Sequence, residues 1–237
     1  MIPVHPDFSR AVAAFGFRPE DGGPFRLAAT GALINNSRGD GMPFFLTARH
    51  SFLFGGSSVR LGPYPSFEAI WDYAGPAAMG GARDEAFASL PRSRGAVLLA
   101  CDEDTDSALL LLQEAPPDRT SLGWRISEIE ERELHRISHP YGYPQASSRH
   151  HGLEFLEDAG GSPPCPRRCY RTRFEGTLGP VSSGAPLVTP DLRVVGQLWG
   201  VREWGGIDYA VDGAFLHAYP RFRPWLDPAG LGEASAC

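Results

Sequence analysis

Four cysteines in 237 residues are too few for a disulfide scaffold, and they do not form the two C-x-x-C pairs of a zinc site. No apolar run approaches the ~18 residues that would suggest a membrane-spanning helix, so a helical transmembrane protein is excluded. Basic clusters are missing as well. The net charge is -6, with 22 Lys+Arg against 28 Asp+Glu, which argues against a nucleic-acid-binding surface. No internal repeat is visible, so a solenoid or propeller is not indicated. The first residues, Met1 to Asp7, carry neither the basic n-region nor the apolar h-region of a signal peptide, so either the protein acts in the cytoplasm, the reading slightly favoured, or the sequence is a trimmed one.

Turn-forming residues, by contrast, are abundant. The 28 glycines and 22 prolines make up about a fifth of the chain, against a usual ~12%. A hydrophobic fraction of 42% is enough to build a core, which excludes a disordered chain. Short β-branched and aromatic segments separated by turns predict an all-β barrel or sandwich, a class that commonly runs to 200–250 residues as one domain. Strands are expected at Phe25–Ile34, Pro43–Thr47, Phe67–Tyr73, Ala96–Cys101, Ala108–Gln113, Glu133–His139, Ala185–Thr189, Val194–Gly200 and near Ile207–Val211. Loops are expected over Ala74–Arg94, Glu157–Arg168 and Val201–Gly206. Mixed three- and four-residue apolar spacing over Ala214–Leu226 predicts a short C-terminal helix. Cys165 and Cys169, separated by Pro-Arg-Arg, either close a small disulfide loop or remain two thiols.

Three places carry chemistry. In Phe44-Phe-Leu-Thr-Ala-Arg-His50 an apolar strand ends in small residues and presents a histidine. In Asp104-Thr-Asp106-Ser-Ala-Leu-Leu-Leu-Leu112 an aspartate heads a strand apolar enough to be buried. In Pro180-Val-Ser-Ser183-Gly-Ala-Pro-Leu187 a serine sits in a tight turn before another strand. Each alone has an ordinary structural reading, as a strand-end, turn or loop residue. Together they supply a nucleophile, a base and a group to orient that base, which is what acyl transfer by a weakly nucleophilic serine requires. The chain order His, Asp, Ser is that of chymotrypsin-type barrels, and differs from the α/β-hydrolase and subtilisin orders.

These motifs resemble those of trypsin-like serine endopeptidases, and most closely the bacterial lysyl-endopeptidase branch. Gly31-Ala-Leu-Ile-Asn-Asn36 with Phe45-Leu-Thr-Ala-Arg-His50 is similar to that branch's G-T-L-[VI]-N-N…F-L-T-A-x-H. Asp106-Ser-Ala-Leu-Leu110 is similar to D-[FI]-[AT]-L-L, and Ser182-Ser-Gly-Ala-Pro186 to S-S-G-S-P. Arg193-Val-Val-Gly-Gln-Leu198, Trp225-Leu-Asp-Pro228 and the pair His139-Pro140 complete the resemblance, in order, from about residue 31 to 228. It implies two packed antiparallel β-barrels of chymotrypsin type and a short C-terminal helix. These form one peptidase domain over 1–237, with sub-barrels at roughly 25–115 and 120–211. It also implies peptide-bond hydrolysis through an acyl-enzyme, with no metal or organic cofactor and a peptide or protein as the partner. Ser183 would attack, His50 would act as base and then acid, and Asp106 would orient the imidazole. The backbone N–H groups of Val181 and Ser183 would form the oxyanion hole.

The departures from the pattern are specific. Valine stands at 181 where the family has glycine, and a β-branched residue restricts the backbone there. Ser51 replaces a cysteine, which fits a reducing compartment. Ser182 stands where trypsin has the aspartate that pairs with a freed N-terminus. For the substrate pocket the resemblance points to Thr177, Leu198, Trp199, Gly200 and Asp208. Thr177 lacks the carboxylate that gives trypsin its basic specificity. Asp208 before Tyr209 is the candidate for a pocket charge selecting Lys or Arg, with Asp212 a weaker one. Trp199 also reads as a core aromatic. The alternative function is a degenerate protease fold that binds peptide without cutting it.

Overall fold

The computed structural model describes residues 5–19, 22–53, 58–74, 87, 89–116, 118–158, 160 and 165–237. A six-residue helix α1 (Pro6–Ala11) leads into six strands: β1 (Val12–Phe17), β2 (Arg26–Ile34), β3 (Phe44–Ala48), β4 (Gly62–Ile70), β5 (Arg92–Asp102) and β6 (Ser107–Leu112). They close into an antiparallel barrel in the order β1-β2-β3-β6-β5-β4. The second half holds β7 (Gly123–Trp124), β8 (Glu133–Ser138), β9 (Ala146–Glu157), β10 (Arg168–Glu175), β11 (Pro186–Val188), β12 (Arg193–Trp204) and β13 (Ile207–Ala214). Here the ring runs β11-β8-β9-β10-β13-β12 and closes through β11–β12 pairing, while β7 lies parallel to β12 outside it. A final helix, α2, spans Phe215–Leu226. The expected all-β architecture of two chymotrypsin-type barrels and a C-terminal helix is the one observed.

The two barrels have different interiors. The first is filled by aromatics: Phe15 stacks on Phe67 with centroids 5.2 Å apart and meets Phe45 edge-on at 5.9 Å. Offset and edge-to-face rings of this kind bury large apolar area and add a preferred geometry. Strand β3 is buried on both faces, Phe45 into this core and Phe44 and Leu46 into the seam between barrels. That seam also takes Trp124, Val194 and the helix residues Phe215, Phe222 and Leu226. Pro220 and Pro224 lie inside α2 but on its exposed side, so the carbonyls they leave without a helical donor belong to exposed residues, Leu216 and Pro220.

Two expectations need correction. The segment Val201–Trp204 is strand, paired from Val201↔Ala210 to Trp204↔Ile207, and only Gly205 and Gly206 turn the chain. Strands β1, β9 and β10 lie where no strand is expected from the pattern. Most of the loop expected at 74–94 and part of that at 157–168 lie outside the described residues.

Candidate active site

Strand register brings the histidine and the aspartate together. β3 pairs with β6 up to Ala48↔Ser107, and the residues beyond that register meet across the barrel rim. Arg49 N–H donates to the Asp106 carbonyl at 2.7 Å, and His50 N–H donates to Asp106 Oδ1 at 2.9 Å. Asp106 Oδ2 lies 2.6 Å from His50 Nδ1. His50 rides on the short 3₁₀ turn Arg49–Phe52, and Asp106 closes the tight β5–β6 turn with a positive φ of 54°. Aspartate is among the residues that tolerate that conformation best. Burial pulls the His50 pKa down. The hydrogen bond and negative charge of the nearly buried Asp106 outweigh that pull and hold it above 6.5.

The second barrel braces this turn. Gln197 on β12 donates from Nε2 to the Thr105 and Asp106 carbonyls at 3.0 and 3.3 Å, and its Oε1 accepts from Ser107 at 3.0 Å. A Cβ at Gly213 would stand 1.8 Å from the Thr105 carbonyl, so the close approach of the two barrels requires glycine there. Gln197 lies inside a motif quoted from the sequence, yet no role follows from it without the fold. Gly213 has no sequence signal at all.

Ser183 enters from the loop before β11. At Gly184 φ is 81° and a Cβ would sit 2.0 Å from Thr47 Oγ1, so this turn packs against β3 only with glycine. The Ser183 hydroxyl donates to the Trp199 carbonyl at 3.3 Å, and no hydrogen bond joins it to His50. Val181 has φ 72°, the left-handed conformation that glycine adopts freely and valine does not. Among the described residues, neither Val181 N–H nor Ser183 N–H has an acceptor. Ser182 is fully buried, and its hydroxyl donates to Ser138 Oγ at 3.1 Å.

A cleft of about 830 Å³ opens beside His50, lined also by Asp102, Glu103, Cys165, Trp199 and Arg221. Trp199 stands between cleft and core. It lines the cleft, and it packs on the cluster of Cys165, Cys169 and Val211 with the Arg202 guanidinium 5.2 Å from its ring centre. Leu198 is buried with Leu178, Ala185 and Ala210 immediately behind Ser183, and a Cβ at Gly200 would meet open space. Thr177 is exposed at the start of the serine loop. Side chains alternate along β13, so Asp208 shares a face with Ala210. Asp208 is exposed and pairs across the strands with Glu203, and among the described residues neither carboxylate has an ion-pair partner. Asp212 is removed from the pocket: it is fully buried in an ion pair with Arg136, and burial raises its pKa.

All four cysteines are free thiols. Burial pushes Cys169 up to about 12, far from a reactive thiolate. Among the described residues no group of three or more His, Cys, Asp or Glu gathers in a metal-binding arrangement.

Residues 7–204 match the family model described as lysyl endopeptidase, C-terminal domain. Among solved structures, the active form of the Rv3671c protease from M. tuberculosis aligns with a TM-score of 0.58 at 17% identity, covering 95% of this chain and 86% of that one. The thermostable serine protease AL20 from an extremophilic microorganism gives 0.55 at 13% identity, covering 91% and 99%. At such identities the structural likeness speaks for the fold.

Proposed function

The chain belongs to the lysyl endopeptidase family of chymotrypsin-fold serine proteases, and from that premise we propose that it is a serine endopeptidase working through His50, Asp106 and Ser183. The observation that carries the reading is the His50–Asp106 pair, bound twice at 2.6 and 2.9 Å, at the rim that faces the serine loop. As substrate enters, the Ser183 hydroxyl turns from the Trp199 carbonyl to His50 Nε2. Catalytic hydrogen bonds are often longer or misaligned before substrate binds. Ser183 Oγ attacks the scissile carbonyl while His50 takes its proton, and Asp106 stabilises the imidazolium. The developing oxyanion is accepted by the free N–H groups of Val181 and Ser183. His50 then returns the proton to the leaving amine, and water repeats the sequence on the acyl-enzyme.

The proposed specificity is for lysine before the scissile bond, bound through Asp208. Its place on the face of Ala210, next to the Leu178–Ala185–Leu198 wall, supports this. So does the sequence, which holds 22 arginines and no lysine. A protease that cuts after lysine finds no site in this chain, whereas one that cuts after arginine meets Arg167 and Arg221, whose side chains are 70% and 72% exposed.

A fluorophosphonate probe tests the chemistry. It should label the wild type and Ser182→Ala, and fail on Ser183→Ala. No labelling of a folded wild type would refute catalysis and leave peptide binding without hydrolysis. On a set of peptides differing in one residue, lysine should lead, and Asp208→Asn should lower its kcat/KM by roughly tenfold to a hundredfold. A profile led by Phe or Leu would sink the assignment of Asp208.

A further inference from the structure

The loop that carries Ser183 is held from behind at four consecutive residues. The Pro180 carbonyl accepts from Tyr141 N–H at 2.6 Å. The Val181 carbonyl accepts from the Thr30 hydroxyl at 2.7 Å. The Ser182 hydroxyl reaches Ser138 at 3.1 Å, and the Ser183 carbonyl accepts from Thr30 N–H at 2.9 Å. With these groups tied to the body of the protein, the N–H groups of Val181 and Ser183 stay without acceptors. Among the described residues, Thr30 is the one side chain that hydrogen-bonds the Val181 carbonyl.

Thr30 is itself oriented. A hydroxyl has a single proton, and here it is committed to the Val181 carbonyl. The remaining neighbours of Thr30 Oγ1, His139 N–H and His139 Nδ1, both at 3.2 Å, must therefore be donors. This assigns the proton of the neutral ring to Nδ1 and leaves Nε2 bare, and Nε2 is buried without a partner. Burial lowers the His139 pKa to about 3, so the ring is neutral near pH 7, and the hydrogen bonds to Thr30 set its tautomer. The ring also lies parallel to Tyr73, with centroids 5.7 Å apart and 6° between planes.

We propose that Thr30, oriented by His139, is a positioning residue: by holding the carbonyl of the Val181–Ser182 peptide, while Tyr141 N–H holds the Pro180 carbonyl of the preceding one, it keeps Val181 at its positive φ and so keeps the Val181 N–H turned toward the cleft. The need arises at Val181 itself. A β-branched residue at φ 72° is strained and persists only where its surroundings over-determine the backbone. Release of the Val181 carbonyl would let that residue relax to an extended conformation, and the oxyanion site would come apart without any catalytic side chain moving. The role of the His139-Pro140 pair follows from the same contacts: it delivers a buried donor to Thr30.

The proposal rests on the peptidase reading, and the experiment separates the two. Wild type, Thr30→Val and Thr30→Ser are compared for kcat, KM and affinity for a lysyl peptide aldehyde, whose hemiacetal needs the oxyanion site. Melting temperatures check the fold. Thr30→Val should lose roughly tenfold to a hundredfold in kcat, less than the roughly 10²–10³ of losing an oxyanion donor outright, with KM changed less than about threefold. Aldehyde affinity should fall in parallel, and Thr30→Ser should restore both. Wild-type kcat in Thr30→Val, or a loss that Thr30→Ser does not restore, would overturn the proposal. Should Thr30→Val fail to fold, His139→Phe keeps the stack on Tyr73 and removes the Nδ1 donor. Lowered kcat at constant KM then supports the proposal, and unchanged kcat overturns it. An inactive folded wild type would overturn the peptidase reading, and this proposal with it.

Discussion

Replacing Asp106 by asparagine isolates the proton position on His50, because the surrounding hydrogen bonds dictate how the amide must lie. Asp106 Oδ1 accepts the His50 N–H at 2.9 Å, and only the amide oxygen of asparagine can take over that bond. The NH2 group is then left facing Nδ1, where Oδ2 now stands at 2.6 Å. Two donors cannot face each other, so His50 gives up the proton on Nδ1 and carries it on Nε2. That is the nitrogen which must be bare to receive the Ser183 proton. Asp106 is only 6% exposed, so water does not rescue the arrangement. The expected loss in kcat/KM is roughly 10⁴, or about 5.4 kcal/mol of transition-state stabilisation. Folding should barely change, since the contacts of Arg49 N–H and Gln197 with the Asp106 carbonyl do not involve its side chain. Turnover of a fluorogenic lysyl peptide by the wild type, Asp106→Asn and Asp104→Asn provides the assay. Asp104 is 43% exposed and stands 3.8 Å from Arg167, so its variant should stay within about twofold. A larger loss from Asp104→Asn, or more than a tenth of activity surviving in Asp106→Asn, would refute the reasoning.

Two other outcomes follow from the charges. Because His50 must be neutral to act as base and Asp106 holds its pKa above 6.5, kcat/KM should fall on the acid side with a midpoint above 6.5; a midpoint below that value would contradict the pairing. The fully buried Arg136–Asp212 pair leaves Arg136 Nε and Nη1 and Asp212 Oδ2 without partners. Arg136→Met alone should therefore cost about 3–5 kcal/mol, a melting-temperature drop of roughly 10 °C, while Arg136→Met with Asp212→Leu should recover most of it. A double variant as unstable as the single one would show that the pair stabilises the barrel in its own right.

Much of the fold is legible because the first barrel obeys simple rules. Apart from β1, its strands present continuous or alternating apolar residues bounded by turn-forming residues. The second barrel breaks those rules from inside. Strands β9 and β10 turn Ser148, His150 and Thr172 inward, and His150 bonds both hydroxyls at 2.9 Å. An interior that satisfies polar groups with one another gives no hydrophobic periodicity, so these strands read as loop. Val201–Trp204 fails for a related reason. Arg202 lies over Trp199 and Arg171 over Trp204, so charged residues occupy a face that aromatic rings cover.

The candidate site divides along the same line. His50, Asp106 and Ser183 are legible because each is the end of a local pattern, a strand meeting a turn. The residues that brace them are not, since Gln197, Gly213 and Thr30 act on chain 90 to 153 residues away. Valine at 181 is the instructive position. The local rule correctly identifies a conformational cost there, because a β-branched residue resists positive φ. What the rule cannot contain is the force that opposes the cost. At φ 72° Val181 occupies the backbone conformation that glycine would supply, held by a threonine hydroxyl from the first barrel and, behind it, a histidine from the second. Propensity measures what a residue prefers when its neighbours are silent, and in this loop every neighbouring residue is tied down.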